Sequence, residues 1–186
     1  MTDGVVTNSL GWYIAECKPT KERTLRSSLE SAGYVVYVAS QTETKVYASR
    51  NRRVVERIMI PGKIFIRTRE SELWNILLAN PGIYRFMINK ASSEREKGKR
   101  VYASVPDEEM QQLQYMLNNA PKPVMFGTDD LVLGQKIEIL RGPLKGLKGE
   151  LATIENTTYI VLKMEMGEKN CVFTEISVRD VKPIDS

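Results

Sequence analysis

The sequence predicts an α+β N-terminal domain, a mixed sheet with flanking helices, followed by a small all-β C-terminal barrel. Three observations carry that prediction. β-rich runs alternate with amphipathic helical segments as far as residue 119. Residues 120–130, "APKPVMFGTDD", combine two prolines, a glycine and paired acids without periodicity, which reads as a linker. From Leu131 onward, short apolar runs are separated by Gly, Asn-Thr or Gly-Glu-Lys turns at regular spacing, the pattern of a small barrel. The domains are therefore drawn at 9–119 and 131–185, with the linker at 120–130.

"GWYIAEC" (11–17) opens as a strand rich in β-formers. "KERTLRSSLESAG" then sets Leu25, Leu29 and Ala32 at helical spacing, with Thr20 placed as N-cap and Gly33 as the C-terminal stop. "YVVYVA" (34–39) is a second strand. "TKVYASRNRRVVERIMI" reads as a β-hairpin with its polar tip at Ser49–Asn51. In "PGKIFIRT", alternation puts Ile64 and Ile66 on one face and Lys63, Phe65 and Arg67 on the other. Ser71 is placed to cap the helix "ELWNILLAN", with Trp74, Leu77 and Leu78 as its buried stripe, and Asn80-Pro81-Gly82 ends it. "IYRFMI" is a short strand and "SSEREKGKR" a charged loop. Pro106 opens the helix "DEEMQQLQYMLNN", whose early acids suit the positive end of the helix dipole and whose Met110, Leu113 and Leu117 face inward.

Composition narrows the function classes. The 186 residues include 42% hydrophobic side chains, enough for a real core. The chain has 27 Lys and Arg against 23 Asp and Glu, an excess equally suited to a phosphate-bearing partner and to ordinary solubility. There is no histidine, which removes the commonest general base and metal ligand. Cys17 and Cys171 form no CxxC and read as reduced thiols of a cytoplasmic protein. Residues 1–9 lack the pattern of a signal peptide, and no apolar run is long enough to span a membrane. A carboxylate–metal enzyme would have to use Glu108, Glu109, Asp129 and Asp130, acids better explained by a helix N-terminus and the linker. No P-loop or nucleotide fingerprint is present, so no enzyme activity and no cofactor are expected.

The most specific local signal is "GQKIEILRGPLKGLKGELATIE". A strand, Lys136–Leu140, meets a bend at Arg141-Gly142-Pro143, and a second strand starts near Leu147. Gly149 lies where a barrel curves sharply, where glycine tolerates positive φ and leaves room for the facing strand. Arg141, Lys145 and Lys148 ring the bend, as solvated lysines of a barrel corner or as RNA-phosphate contacts. The segment resembles the KOW motif of ribosomal and transcription-elongation proteins. "GWYIAECKPTKERTLRSSLESAGYVVYV", "RIMIPGKIFIR" and "NPGIYRF" follow the order of the "WYVV…KP…E…L…GI", "FPGYVFV" and "VRGV…F" segments of the NusG family. The resemblance runs over residues 11–184 and joins a NusG-type N-terminal domain to a KOW domain.

That resemblance implies a transcription elongation factor that binds RNA polymerase and is not an enzyme. Positions matching the surface that grips the clamp helices of the largest polymerase subunit are Glu16, Ile60, Lys63, Phe65 and Phe86. Phe65 and Phe86 read equally as interface anchors and as core. Glu16 and Lys63 stand where aromatic residues often occur, and would pair with polymerase charges or with each other. Regions near upstream or non-template DNA match Lys18, Lys21, Arg23 and Arg26 around the first helix, and Arg50, Arg52, Arg53 and Arg57 on the hairpin, partly neutralised by Glu56. Leu144 and Leu147 match positions through which KOW domains dock the termination factor Rho or the ribosomal protein NusE, or they plug the barrel. "ECKPTKERTLRSSLESAGYVVYVASQTETKVY" is most similar to UpxY-type paralogues, which implies antitermination at polysaccharide operons by a monomer with no membrane partner. The alternatives are a housekeeping NusG and a ribosome-associated RNA-binding KOW protein. Refolding of the KOW domain to helices, as in the related RfaH, is disfavoured by the β-branched "TTYIVLKM".

Overall fold

A computed structural model describes residues 10–46, 52–89, 100–127, 133–164 and 171–184. The chain divides into two units. One comprises the described residues of Met1–Val38 and Ile60–Asp107, the other those of Ala39–Met59, Glu108–Met164 and Glu168–Ser186.

The first unit is built on strands β1 (Gly11–Cys17), β2 (Val35–Tyr37), β5 (Lys63–Thr68), β6 (Ile83–Phe86) and β7 (Ser104–Val105). The order is β2-β5-β1-β6, with β7 also paired to β1. Every described pair is antiparallel, where a mixed sheet was expected. The reason is that β5 runs between β1 and β2, so the two strands joined by the first helix never touch. That helix, α1 (Glu22–Ser31), buries Leu25 and Leu29 as its spacing predicts, while Ala32 is exposed. It ends at Gly33, whose φ of 90° only glycine adopts without strain, and Tyr34 N–H reaches back to the Leu29 carbonyl. Thr20 does not cap α1. The N-cap is Lys21, without a side-chain bond, and Thr20 sits at φ 80°.

Helix α2 (Leu73–Ala79) corrects the predicted stripe. Leu73 and Ile76 are buried, whereas Trp74 and Leu78 are each 64% exposed. The sequence "LWNILLA" carries apolar residues at two phases of the 3.6-residue repeat, so periodicity alone cannot choose the inward one. Nor does Ser71 cap it. A 3-10 turn, Glu70–Glu72, precedes α2, and Thr68 Oγ1 donates to Glu72 Oε2 at 2.8 Å.

In the second unit, β3 (Ser40–Val46) and β4 (Arg52–Ile58) form the expected hairpin, closed at its base by Met59 N–H to the Ala39 carbonyl at 2.8 Å. Its expected tip, 49–51, lies outside the described residues, as does most of the charged loop at 92–100. Helix α3 (Asp107–Asn119) buries Met110, Leu113 and Leu117 as predicted, and Met116 as well. Gln41 joins two elements by its amide, donating to the Leu117 carbonyl and accepting from Val124 N–H, each at 3.3 Å.

A six-stranded antiparallel sheet follows, formed by β8 (Val124–Gly127), β9 (Leu133–Ile139), β10 (Lys148–Ile154), β11 (Thr157–Lys163), β12 (Cys171–Glu175) and β13 (Val181–Pro183). Its order is β13-β9-β10-β11-β12-β8. Strand β8 falls inside the tract read as linker. Val124, Phe126 and the backbone between them pair with β12 despite the flanking prolines, which spare the strand itself. Ala152, Val161, Cys171 and Phe173 form a core cluster, with Tyr159 set edge-on to Phe173 at 5.5 Å.

The glycine bend divides its labour. A Cβ on Gly149 would stand 2.7 Å from the Val161 carbonyl oxygen, so that position needs room. The positive φ angles fall instead on Gly142 (84°) and Gly146 (87°), with Gly146 N–H bonding the Ile139 carbonyl at 2.7 Å.

Candidate functional site

Alternation on β1 and β5 sets Glu16 and Lys63 side by side, and Glu16 also faces Arg85 on β6. The three side chains form a charged row across three strands. Lys63 Nζ lies 3.0 Å from Glu16 Oε1, and Arg85 Nε donates to Glu16 Oε2. Lys63 and Glu16 are about one-fifth exposed, at 20% and 23%, while Arg85 is 74% exposed. Burial would push the Glu16 carboxyl up, but the hydrogen bonds from Arg85 and Lys63 outweigh it and hold the group below its ordinary value. Arg85 was not singled out in the sequence. Its only local cue is its place next to Phe86 in "NPGIYRF", since its partner is remote in sequence.

On the same sheet, Arg67 grips Asp107 through two parallel bonds, Nε to Oδ1 at 3.0 Å and Nη2 to Oδ2 at 2.9 Å. Trp12 Nε1 donates to the same Oδ1 at 2.8 Å. The Arg67 hydrogen bond lowers the Asp107 carboxyl below its usual range, and the Asp107 hydrogen bond raises Arg67.

The apolar candidates sit in the core. Ile60 is 4% exposed, Phe65 0% and Phe86 5%. Strand β5 is buried on both faces from Ile64 to Ile66, so alternation does not bring Phe65 to solvent; its ring lies 6.2 Å from that of Tyr37. Phe86 stacks edge-on against Tyr102 at 6.5 Å. Leu144 and Leu147 are likewise buried, at 3% each, while Arg141, Lys145 and Lys148 around them are exposed. Tyr115 OH lies 3.0 Å from both the Pro143 and the Lys145 carbonyl oxygens and so braces the bend. Beside it lies a cavity of about 320 Å³, lined in part by Arg141, Leu144, Ile176 and Asp180.

Of the basic candidates, Lys18, Lys21 and Arg23 are exposed and Arg26 half-buried. Arg23 and Arg26 both interact with neighbouring groups. Arg52 and Arg53 are exposed on the hairpin; Arg50 lies outside the described residues. Arg57 is paired with Glu43 at 2.9 Å, and Glu56 accepts from Ser40 Oγ at 2.7 Å. Glu22, on the first helix, is a buried carboxylate, 1% exposed, whose Oε1 accepts Gly62 N–H at 2.7 Å. The Gly62 carbonyl in turn accepts Cys17 N–H at 2.9 Å. Gly62 has φ 76°, and a Cβ there would stand 3.1 Å from the Cys17 carbonyl, which explains the Pro-Gly pair physically. Burial, helped by the Glu22 charge, pushes the Cys17 thiol up to about 11. Cys17 and Cys171 are both buried and form no disulfide. Among the described residues there is no group of three His, Cys, Asp or Glu side chains placed to hold a metal, and no helix long and apolar enough to cross a membrane. Asp129 and Asp130 of the acidic alternative lie outside the described residues.

A family model described as transcription termination factor nusG matches residues 10–114. Among solved structures, the chain is similar to NusG of Thermotoga maritima, at 17% identity and a TM-score of 0.49, covering 95% of this chain and 98% of that one. Two conformations of the MjSpt4:Spt5 complex match at 13% and 14% identity, with TM-scores of 0.29 and 0.30, over 93% and 94% of this chain and 97% of each of theirs. No curated protein matches.

Proposed function

With residues 10–114 matched, the chain belongs to the NusG family, and from that premise we propose that it is a specialised elongation factor that binds RNA polymerase and promotes readthrough of long operons. The family comprises transcription factors, not enzymes, and its members bind RNA polymerase. The observation that carries this reading is the Lys63–Glu16–Arg85 row. Two positions that the resemblance assigns to the clamp helices, Glu16 and Lys63, stand together on adjacent strands and join a third, exposed charge. Residues 9–119 form the polymerase-binding domain in this reading and the C-terminal strands a KOW domain. The hairpin arginines Arg52 and Arg53 supply phosphate contacts near the DNA. Lys18, Lys21, Arg23 and Arg26 around the first helix, and Arg50 and Arg57 on the hairpin, are the further nucleic-acid contacts in this reading. The protein acts as a cytoplasmic monomer, and the UpxY-like stretches favour polysaccharide operons as its targets.

The test has two stages. The full chain is mixed with polymerase from the same source and co-elution measured; then terminator readthrough is measured on a long template with and without Rho. Co-elution with increased readthrough supports the reading. Co-elution with increased Rho-dependent termination indicates a housekeeping factor. Absence of co-elution with both free and transcribing polymerase overturns it.

A further inference from the structure

The charged row has one end left over. Glu16 has two carboxylate oxygens, and both are taken, Oε1 by Lys63 and Oε2 by Arg85. Two cations on one anion leave a residual charge of +1. Arg85 contributes only Nε to the pair, so its terminal Nη1 and Nη2 have no hydrogen bond among the described residues, on a side chain 74% exposed. A guanidinium held by one edge presents the other in a fixed direction, the fork that accepts a carboxylate through two parallel bonds. Arg67 on the same sheet shows an arginine taking a carboxylate through two parallel bonds, there from Nε and Nη2 to Asp107. The apolar candidates Ile60, Phe65 and Phe86 are buried, so none of them is offered at this edge, where Tyr84 and Arg85 are the exposed side chains of β6.

We infer that Arg85 is a specificity-determining residue, receiving through Nη1 and Nη2 one acidic side chain of the polymerase clamp helices. Lys63 and Glu16 position it. The inference rests on the polymerase-binding reading and deepens it, by naming the chemistry of the partner. A single uncompensated charge beside a carboxylate suits one discrete acid. A nucleic-acid backbone is bound by many cations in series, whereas this row leaves a single one over.

The experiment measures affinity of the full chain for DNA-free polymerase and for an elongation complex over a series of salt concentrations. Arg85→Glu is expected to weaken binding to both about 10-fold or more at low salt and to flatten the salt dependence, as reversal of a peripheral interface charge does. Arg85→Lys keeps the charge but loses the fork, and falls between. Unchanged circular dichroism establishes that each variant is folded. Each acid of the clamp helices is then changed singly to Lys and tested against Arg85→Glu; one such change restores binding about 5-fold or more if the two groups meet. Undiminished binding by Arg85→Glu, or no restoring acid, overturns the inference while polymerase binding stands. Weakening confined to the elongation complex overturns it in favour of a phosphate partner. Failure of the wild type to bind either form overturns both readings.

Discussion

Phe65→Ala separates a core role from a contact role. Phe65 is fully buried on β5, opposite Ile14 in register and 6.2 Å ring-to-ring from Tyr37. Truncation removes the ring from a site walled by two strands, which cannot collapse inward without breaking their hydrogen bonds. The cost expected is about 3–5 kcal/mol, the range for buried Phe→Ala, including the lost contact with Tyr37. That is a fifth or more of a stability of about 5–15 kcal/mol. For a chain of this length it corresponds to a melting-point drop of about 6–20 °C. The assay is thermal unfolding followed by far-ultraviolet circular dichroism, with polymerase co-elution measured well below the variant's melting point. Folded Phe65→Ala retains substantial binding if the ring is core. A melting point within about 2 °C of wild type, far short of the expected drop, together with lost binding, would refute the reasoning and make Phe65 a contact residue.

Gly149→Ala forces a Cβ to 2.7 Å from the Val161 carbonyl oxygen and 2.8 Å from Ile160 Cγ1, and is expected to cost about 1–3 kcal/mol by urea unfolding. The Glu16 carboxyl is held below its ordinary 4.5 in the folded chain, so its stabilisation is present above that value and lost as pH falls through the folded pKa. Wild type should therefore lose more stability than Glu16→Gln on acidification below about pH 4.5, measured as the urea midpoint at each pH. Cys17, buried with its thiol near 11, and buried Cys171 should both resist a thiol reagent at pH 8 and react only on unfolding; rapid labelling of the native chain would contradict their placement.

Much of the fold was legible because strand alternation and helix spacing are local. Leu25, Leu29, Met110, Leu113 and Leu117 all point inward as their spacing requires. The failures share a cause. Trp74 and Leu78 lay at one of two equally apolar phases, and tertiary context chose the other. Strand β8 exists because β12 pairs with it, a partner 44 or more residues away that no local signal in "APKPVMFGTDD" announces. In the site, Glu16 and Lys63 came from motif order, whereas Arg85 and the Trp12–Asp107–Arg67 cluster depend on pairings between distant strands and loops. Burial of Phe65 was undecidable in the sequence, since an apolar side chain on a strand serves a core or a partner with the same chemistry.

The hydrogen bond between Met59 and Ala39 makes the β3–β4 hairpin an excursion that leaves and returns through a single closed base. Beyond that base the two strands pair with each other in unbroken register from Ser40–Ile58 to Val46–Arg52, and Gln41, near the base, also bonds the backbone of Leu117 and Val124. Extra residues at its far end would add only loop-closure entropy, about 0.6 kcal/mol for each doubling of length. The excursion is thus an evolvable cassette: its reach and its arginine content can be rewritten between paralogues, or exchanged by grafting at residues 39 and 59, while the register of its base is kept.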